Sequence, residues 1–173
     1  MIEENNAIVE GRLTFHFAPL IKATKYDDWS FYRNQFNNAF GGAKAIDLIV
    51  IDSHTTWLIE IKDYRAHQRT KPIDIGDEML GKVRDTLIGL VAAKFNANDQ
   101  EERRVAKRAL GTNKLRVVLH LEQPQKHSRL FPRAINPVDV IQKLKQKLKS
   151  IDAHPIVVDQ FSLKPEMKWT VEG

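Results

Sequence analysis

The chain has 173 residues, 42% hydrophobic and 28% charged, a length and balance that suit a single globular domain with a sizeable core. It contains no cysteine, which excludes disulfides and thiolate metal sites and fits a reducing cytoplasm. The formal net charge of +5 favours a polyanionic partner, while no apolar run approaches a membrane span and the segment Met1 to Glu10, with three glutamates and no basic residue, does not resemble a signal peptide.

There is no internal repeat and no low-complexity linker. Arg12 to Phe17 alternates as a short strand, with Leu13, Phe15 and Phe17 on one face, and Pro19 ends it. Asp27 or Asp28 can cap a helix running to about Phe40, because Trp29, Tyr32, Phe36 and Phe40 recur at helical spacing. Gly41-Gly42 would stop that helix. Two apolar runs follow, Ala45 to Asp52 and Trp57 to Lys62, separated by Ser53-His54-Thr55-Thr56. β-branched runs broken by a short polar stretch read as a hairpin. A polar loop from Asp63 through Gly76 is long enough to contact a substrate.

Asp77 to about Phe95 is the most strongly periodic segment, with Met79, Leu80, Val83, Leu87, Leu90 and Val91 as its apolar stripe. Asn98 or Asp99 starts another helix, Glu101 to Leu110, in which Arg103, Arg104, Lys107 and Arg108 outweigh the acids. Leu115 to Leu121 reads as a buried strand. Pro137 begins a helix to Ile151 that faces the core with Val138, Ile141, Leu144 and Leu148 and carries lysines at 143, 145, 147 and 149. Ile156 to Val158 is a last short strand, and Lys168 to Val171 adds an edge. The order predicts an α/β fold: a central mixed β-sheet of about four to five strands flanked by helices.

The hairpin carries the chemistry. With its turn centred between Ser53 and His54, Asp47 faces Glu60 directly, with Cβ atoms roughly 5 Å apart. Lys62 projects from the same face as Glu60. Leu48, Val50, Ile59 and Ile61 make one face apolar, and Ile49, Ile51 and Leu58 continue the other beside the acids. Strands apolar on both faces are central and covered by helices, so the acids and the lysine need partners there. A divalent cation between the two carboxylates, with an ammonium alongside, relieves their repulsion.

Ile46-Asp47, a gap of twelve residues, then Glu60-Ile61-Lys62 resembles the signature of the PD-(D/E)XK nuclease superfamily, the restriction-endonuclease-like fold. Ile46 stands where the signature has Pro. The resemblance covers roughly residues 10 to 95, and it implies one nuclease-like domain over residues 1–173 with a restriction-endonuclease-like core. It further implies a Mg2+-dependent nuclease, with Mn2+ able to substitute, that hydrolyses phosphodiester bonds, with DNA ahead of RNA as the substrate and an enzyme of this fold acting on RNA left open. Asp47, Glu60 and the backbone carbonyl of Ile61 would hold the metal, and Lys62 would orient the attacking water as a cation. The alternative is a non-cleaving nucleic-acid-binding or assembly subunit that keeps the fold.

Several relatives carry an acid on the first helix, where Asp27 or Asp28 is placed, although a helix cap accounts for either. Lys82 and Arg84 are candidates for phosphate contact, as are the lysines from 143 to 149 together with the 103 to 108 cluster; a solvated face accounts for each singly. The histidines have no metal-binding spacing and take no role. A homodimer or a larger complex is compatible with the sequence.

Overall fold

The computed structural model describes residues 6–126 and 135–173. Its five-stranded sheet has the order β3-β4-β5-β6-β7, formed by Lys22–Lys25, Leu48–Ile51, Thr55–Asp63, Lys114–Glu122 and Ile156–Val158. β3, β4 and β5 run antiparallel, whereas β6 and β7 continue from β5 in parallel. A three-stranded antiparallel sheet has the order β1-β2-β8, from Ala7–Glu10, Leu13–Phe17 and Trp169–Glu172. The α/β architecture and the mixed central sheet are those the sequence predicts. The second sheet was not expected, because its strands come from opposite ends of the chain.

The hairpin register is the predicted one: Leu48 pairs with Ile59, Ile49 with Leu58, Val50 with Trp57 and Ile51 with Thr56. Both strands are buried on both faces, as their apolar runs require. Leu48, Val50, Ile59 and Ile61 pack against Leu13, Phe15, Phe17 and Trp169 of the small sheet. Ile49, Ile51 and Leu58 pack on the helical side with Met79, Val83 and Leu90. Hence Glu60, two residues beyond Leu58, points toward the helices.

Among the described residues, three α-helices accompany the sheet: α1 (Ile75–Asn96), α2 (Gln100–Ala109) and α3 (Pro137–Leu148). α1 begins two residues earlier than its apolar stripe suggests, because Asp74 caps it by accepting from the N–H groups of Gly76 and Asp77. Asp99 caps α2 and Asn136 caps α3. Within α1, Val91 is exposed, contrary to its place in the predicted stripe. In α3, Val140 rather than Val138 joins Leu144 and Leu148 in the core, and Val138 is exposed.

The helix predicted from Asp27 to Phe40 does not form. The segment is a 3-10 turn (Tyr26–Asp28), a π-helical turn (Tyr32–Phe36) and a second 3-10 turn (Ala39–Gly41). Tertiary contacts override its periodicity. Trp29 turns to an extended ψ of 134°, where its indole N–H donates to Thr24 Oγ1. The next two N–H groups, of Ser30 and Phe31, donate to the carboxylate of Glu102 on α2. The predicted strand from Ala45 is likewise shortened to Leu48. The Lys44 and Ile46 N–H groups donate to Asp85 Oδ2 and Thr86 Oγ1 on α1 instead of to a neighbouring strand.

Candidate functional site

Asp47 lies one residue before β4, Glu60 and Lys62 lie on β5, and Glu78 and Lys82 occupy successive turns of the α1 face that covers the sheet. The register leaves Asp47 opposite Glu60. Asp47 is fixed by the backbone: its Oδ2 accepts from the Ile61 N–H at 2.6 Å, and its own carbonyl accepts from the Tyr26 N–H. Lys82 Nζ stands 2.6 Å from Glu60 Oε1 and 3.7 Å from Asp47 Oδ1. Lys62 Nζ is also 2.6 Å from Glu60 Oε1 and is 3.5 Å from Glu78 Oε1. Two lysines therefore meet on one oxygen of Glu60, while its other oxygen, Oε2, is buried with no hydrogen-bond partner among the described residues.

Burial dominates the electrostatics of Glu60, whose side chain is 1% exposed. Desolvation, then the charge of Asp47, pushes its carboxyl up to about 7 against the pull of Lys82 and Lys62. Lys62 moves the opposite way from a buried lysine in an apolar pocket. Burial lowers its pKa, but Glu60, Glu78 and Asp47 more than offset that and hold it above its ordinary value. The surrounding carboxylates thus favour the charged form of Lys62. Glu78 is also buried, but hydrogen bonds from Lys71 and Arg69 and the nearby Lys62 charge bring it down to about 2.

Asp47, Glu78 and Lys82 line a cleft of about 370 Å³ together with Asp27, Tyr32, Lys44 and Lys71. Asp27 is not a helix cap: Lys25 precedes the turn, which has no side-chain cap bond. Its Oδ1 is buried without a partner among the described residues, and burial followed by the Asp47 charge raises its pKa. Asp28 instead pairs with Arg33. Glu78, Lys71 and Arg69 were missed in the sequence. An acid in the first turn of a helix reads as a partner of the helix dipole, and Lys71 and Arg69 lie in a loop without periodicity.

The proposed phosphate stripe is less continuous than the sequence suggests. Lys143 is held by Asp74 and Asp77, Arg103 by the Ala97 carbonyl and Arg104 by Glu101. Arg104, Lys107 and Arg108 line a separate recess of about 470 Å³ with Asp52 and Ser53, beside the hairpin turn. No helix among the described residues is long and apolar enough to cross a membrane. No group of three or more His, Asp or Glu side chains among the described residues is arranged to hold a metal.

A cysteine–tRNA ligase of Neisseria meningitidis serogroup A is 35% identical over 172 residues, covering 82% of this chain and 24% of that protein. The chain thus spans about a quarter of the length of the curated relative it matches. No family model matches the chain, and no solved structure matches it. The similarity overturns the nuclease function expected from Asp47, Glu60 and Lys62: the relative is a tRNA ligase, neither a nuclease nor a phosphodiester hydrolase. Carboxylates and lysines gathered at one cleft suit cation and phosphate binding in general, so the arrangement does not by itself specify hydrolysis.

Proposed function

We propose that this domain is an RNA-handling part of an enzyme of the tRNA-ligase type, and that its cleft binds the tRNA phosphate backbone with the help of a divalent cation. The similarity to a cysteine–tRNA ligase supports RNA over DNA as the polymer. The domain keeps the core arrangement of the PD-(D/E)XK fold family, with Asp47 and Glu60 used to bind a cation.

The observation that carries the reading is Glu60 Oε2, a carboxylate oxygen buried without a hydrogen-bond partner among the described residues, on the acid that the hairpin register sets opposite Asp47. Orphaned buried oxygen is costly, and the donor set of Asp47, Glu60 and the Ile61 carbonyl is hard oxygen, the kind Mg2+ or Mn2+ takes through one or two carboxylates plus phosphate. When bound, the ion supplies positive charge to phosphate oxygens. Lys44 and Lys71, lining the same cleft, add cationic contacts to the backbone. Lys82 holds the two carboxylates together at 2.6 and 3.7 Å, and Lys62 neutralises Glu60 from within the sheet.

Binding of unmodified tRNA, followed by gel shift across a Mg2+ titration, tests this. Wild type should bind more tightly as Mg2+ rises, and Asp47→Asn with Glu60→Gln should lose that dependence while retaining weak, salt-sensitive binding. Equal affinity of wild type and the double variant at every Mg2+ concentration would contradict the reading.

A further inference from the structure

Asp27 is half-buried and lines the cleft together with Lys44, Lys71 and Lys82, and its Oδ1 is buried with no hydrogen-bond partner among the described residues. The carboxylate caps no helix, because the turn Tyr26–Asp28 has no side-chain cap bond. Two cations stand close, and both are engaged elsewhere. Arg33 donates from Nε to the main-chain carbonyl of Asp27 at 3.0 Å and pairs with the carboxylate of Asp28. Lys25 Nζ is 2.7 Å from Glu10 Oε2. The backbone around Asp27 is held, since the Tyr26 N–H also donates to the Asp47 carbonyl at 3.0 Å. Burial, then the charges of Asp47, Asp28 and Glu10, raise the pKa of this carboxyl, so its neighbours oppose its ionisation. A buried acceptor left unfilled is unfavourable and points to a missing donor, and a turn about χ2 presents either oxygen.

The ligand of such a cleft carries that donor. Phosphate oxygens only accept, so an acid among the lysines repels a backbone that offers nothing else. The ribose 2′-hydroxyl is a donor as well as an acceptor, and it is the group by which a protein tells RNA from DNA. As a neutral donor it fills the carboxylate without drawing the lysines away from phosphate. A site that hydrogen-bonds a hydroxyl rejects the analogue lacking it, because its own polar group is then left unfilled. Resting on the reading of the cleft as an RNA phosphate site, we infer that Asp27 accepts a hydrogen bond from a ribose 2′-hydroxyl next to the bound phosphate, and that this contact makes the cleft select RNA over DNA.

The test measures fluorescence anisotropy of three labelled oligonucleotides of one sequence, with ribose, 2′-deoxyribose or 2′-O-methylribose sugars, across a Mg2+ titration. Wild type, Asp27→Ala, Asp27→Asn and Glu60→Gln are compared. Wild type should bind the ribose probe about tenfold more tightly than either of the others, the size of one hydrogen bond to a charged group. Asp27→Ala should bring that ratio close to one while its affinity still rises with Mg2+, and Asp27→Asn, whose amide oxygen also accepts, should keep part of the preference. Asp27→Ala should melt no lower than wild type, because it removes an acid whose neighbours oppose its charge, which separates loss of selection from loss of fold. If Asp27→Ala weakens all three probes alike and loses its response to Mg2+, or if wild type does not distinguish the sugars while Glu60→Gln weakens binding, the hydroxyl contact is wrong and the cleft reading stands. If wild type binds none of the probes, the cleft reading itself fails and the selection with it.

Discussion

The backbone N–H of Ile61 donates a 2.6 Å hydrogen bond to Oδ2 of Asp47, tying the carboxylate that precedes β4 to the strand that carries Glu60. This bond leaves Oδ1 facing Lys82 and fixes the spacing of the two acids. A slip of one residue in the β4–β5 pairing would turn Glu60 to the opposite face of the sheet, into the cluster around Phe15 and Trp169.

The raised pKa of Glu60 makes stability pH-dependent in a calculable direction. A carboxyl held at about 7 in the fold, against an ordinary 4.5, contributes stability that is fully present below pH 4.5 and is lost as pH rises through 7. The loss is about 3 kcal/mol if the whole shift is expressed. Urea unfolding in the presence of EDTA should therefore show Glu60→Gln gaining on wild type between pH 4.5 and pH 7.5. Parallel curves for the two proteins would mean that Glu60 ionises as freely in the fold as in the unfolded chain.

Lys82 neutralises both acids from α1. Lys82→Met should destabilise the protein by about 2–4 kcal/mol at pH 8, since it leaves Glu60 and Asp47 facing each other with Lys62 as the remaining close cation. Added Mg2+ should recover part of that loss in the variant, because an ion between the carboxylates replaces the missing charge. The check is a thermal melt with and without Mg2+. A melting temperature in the variant indifferent to Mg2+ would count against a cation at this position.

Gly89 is required by packing and not by backbone freedom. A Cβ there would lie 2.0 Å from the Tyr26 hydroxyl and 3.0 Å from the Phe36 ring. Gly to Ala inside a helix ordinarily gains up to about 1 kcal/mol, yet Gly89→Ala should cost about 1–3 kcal/mol through overpacking. Tyr26→Phe should be close to neutral alone, because its hydroxyl is buried without a partner among the described residues, and it should relieve part of the Gly89→Ala defect. A double-mutant cycle in urea measures the coupling; strict additivity would show that the hydroxyl is not the obstacle.

The parts of this fold legible in the sequence are those that local pattern decides. The hairpin register followed from the polar turn and from apolar residues on both faces, and it brought Asp47 opposite Glu60. The broken segment after Tyr26 was not legible, because the carboxylate that takes its N–H groups belongs to Glu102, some seventy residues away. The three-stranded sheet was hidden for the same reason: β8 pairs with β2 across nearly the whole chain. Glu78 and Lys71 joined the site only once α1 was laid over the sheet. The polymer was beyond reach as well, since a lysine-lined carboxylate pair suits phosphate in either nucleic acid, and the charge balance points only to a polyanion.

The most direct measurement is a crystal of the domain with a short single-stranded RNA, soaked in Mn2+ and examined for anomalous scattering. Density between the carboxylates of Asp47 and Glu60, in contact with a phosphate oxygen, is the expected result. Bound RNA with no Mn2+ peak at those carboxylates, or with its backbone away from the cleft of Lys44, Lys71 and Lys82, would contradict the account.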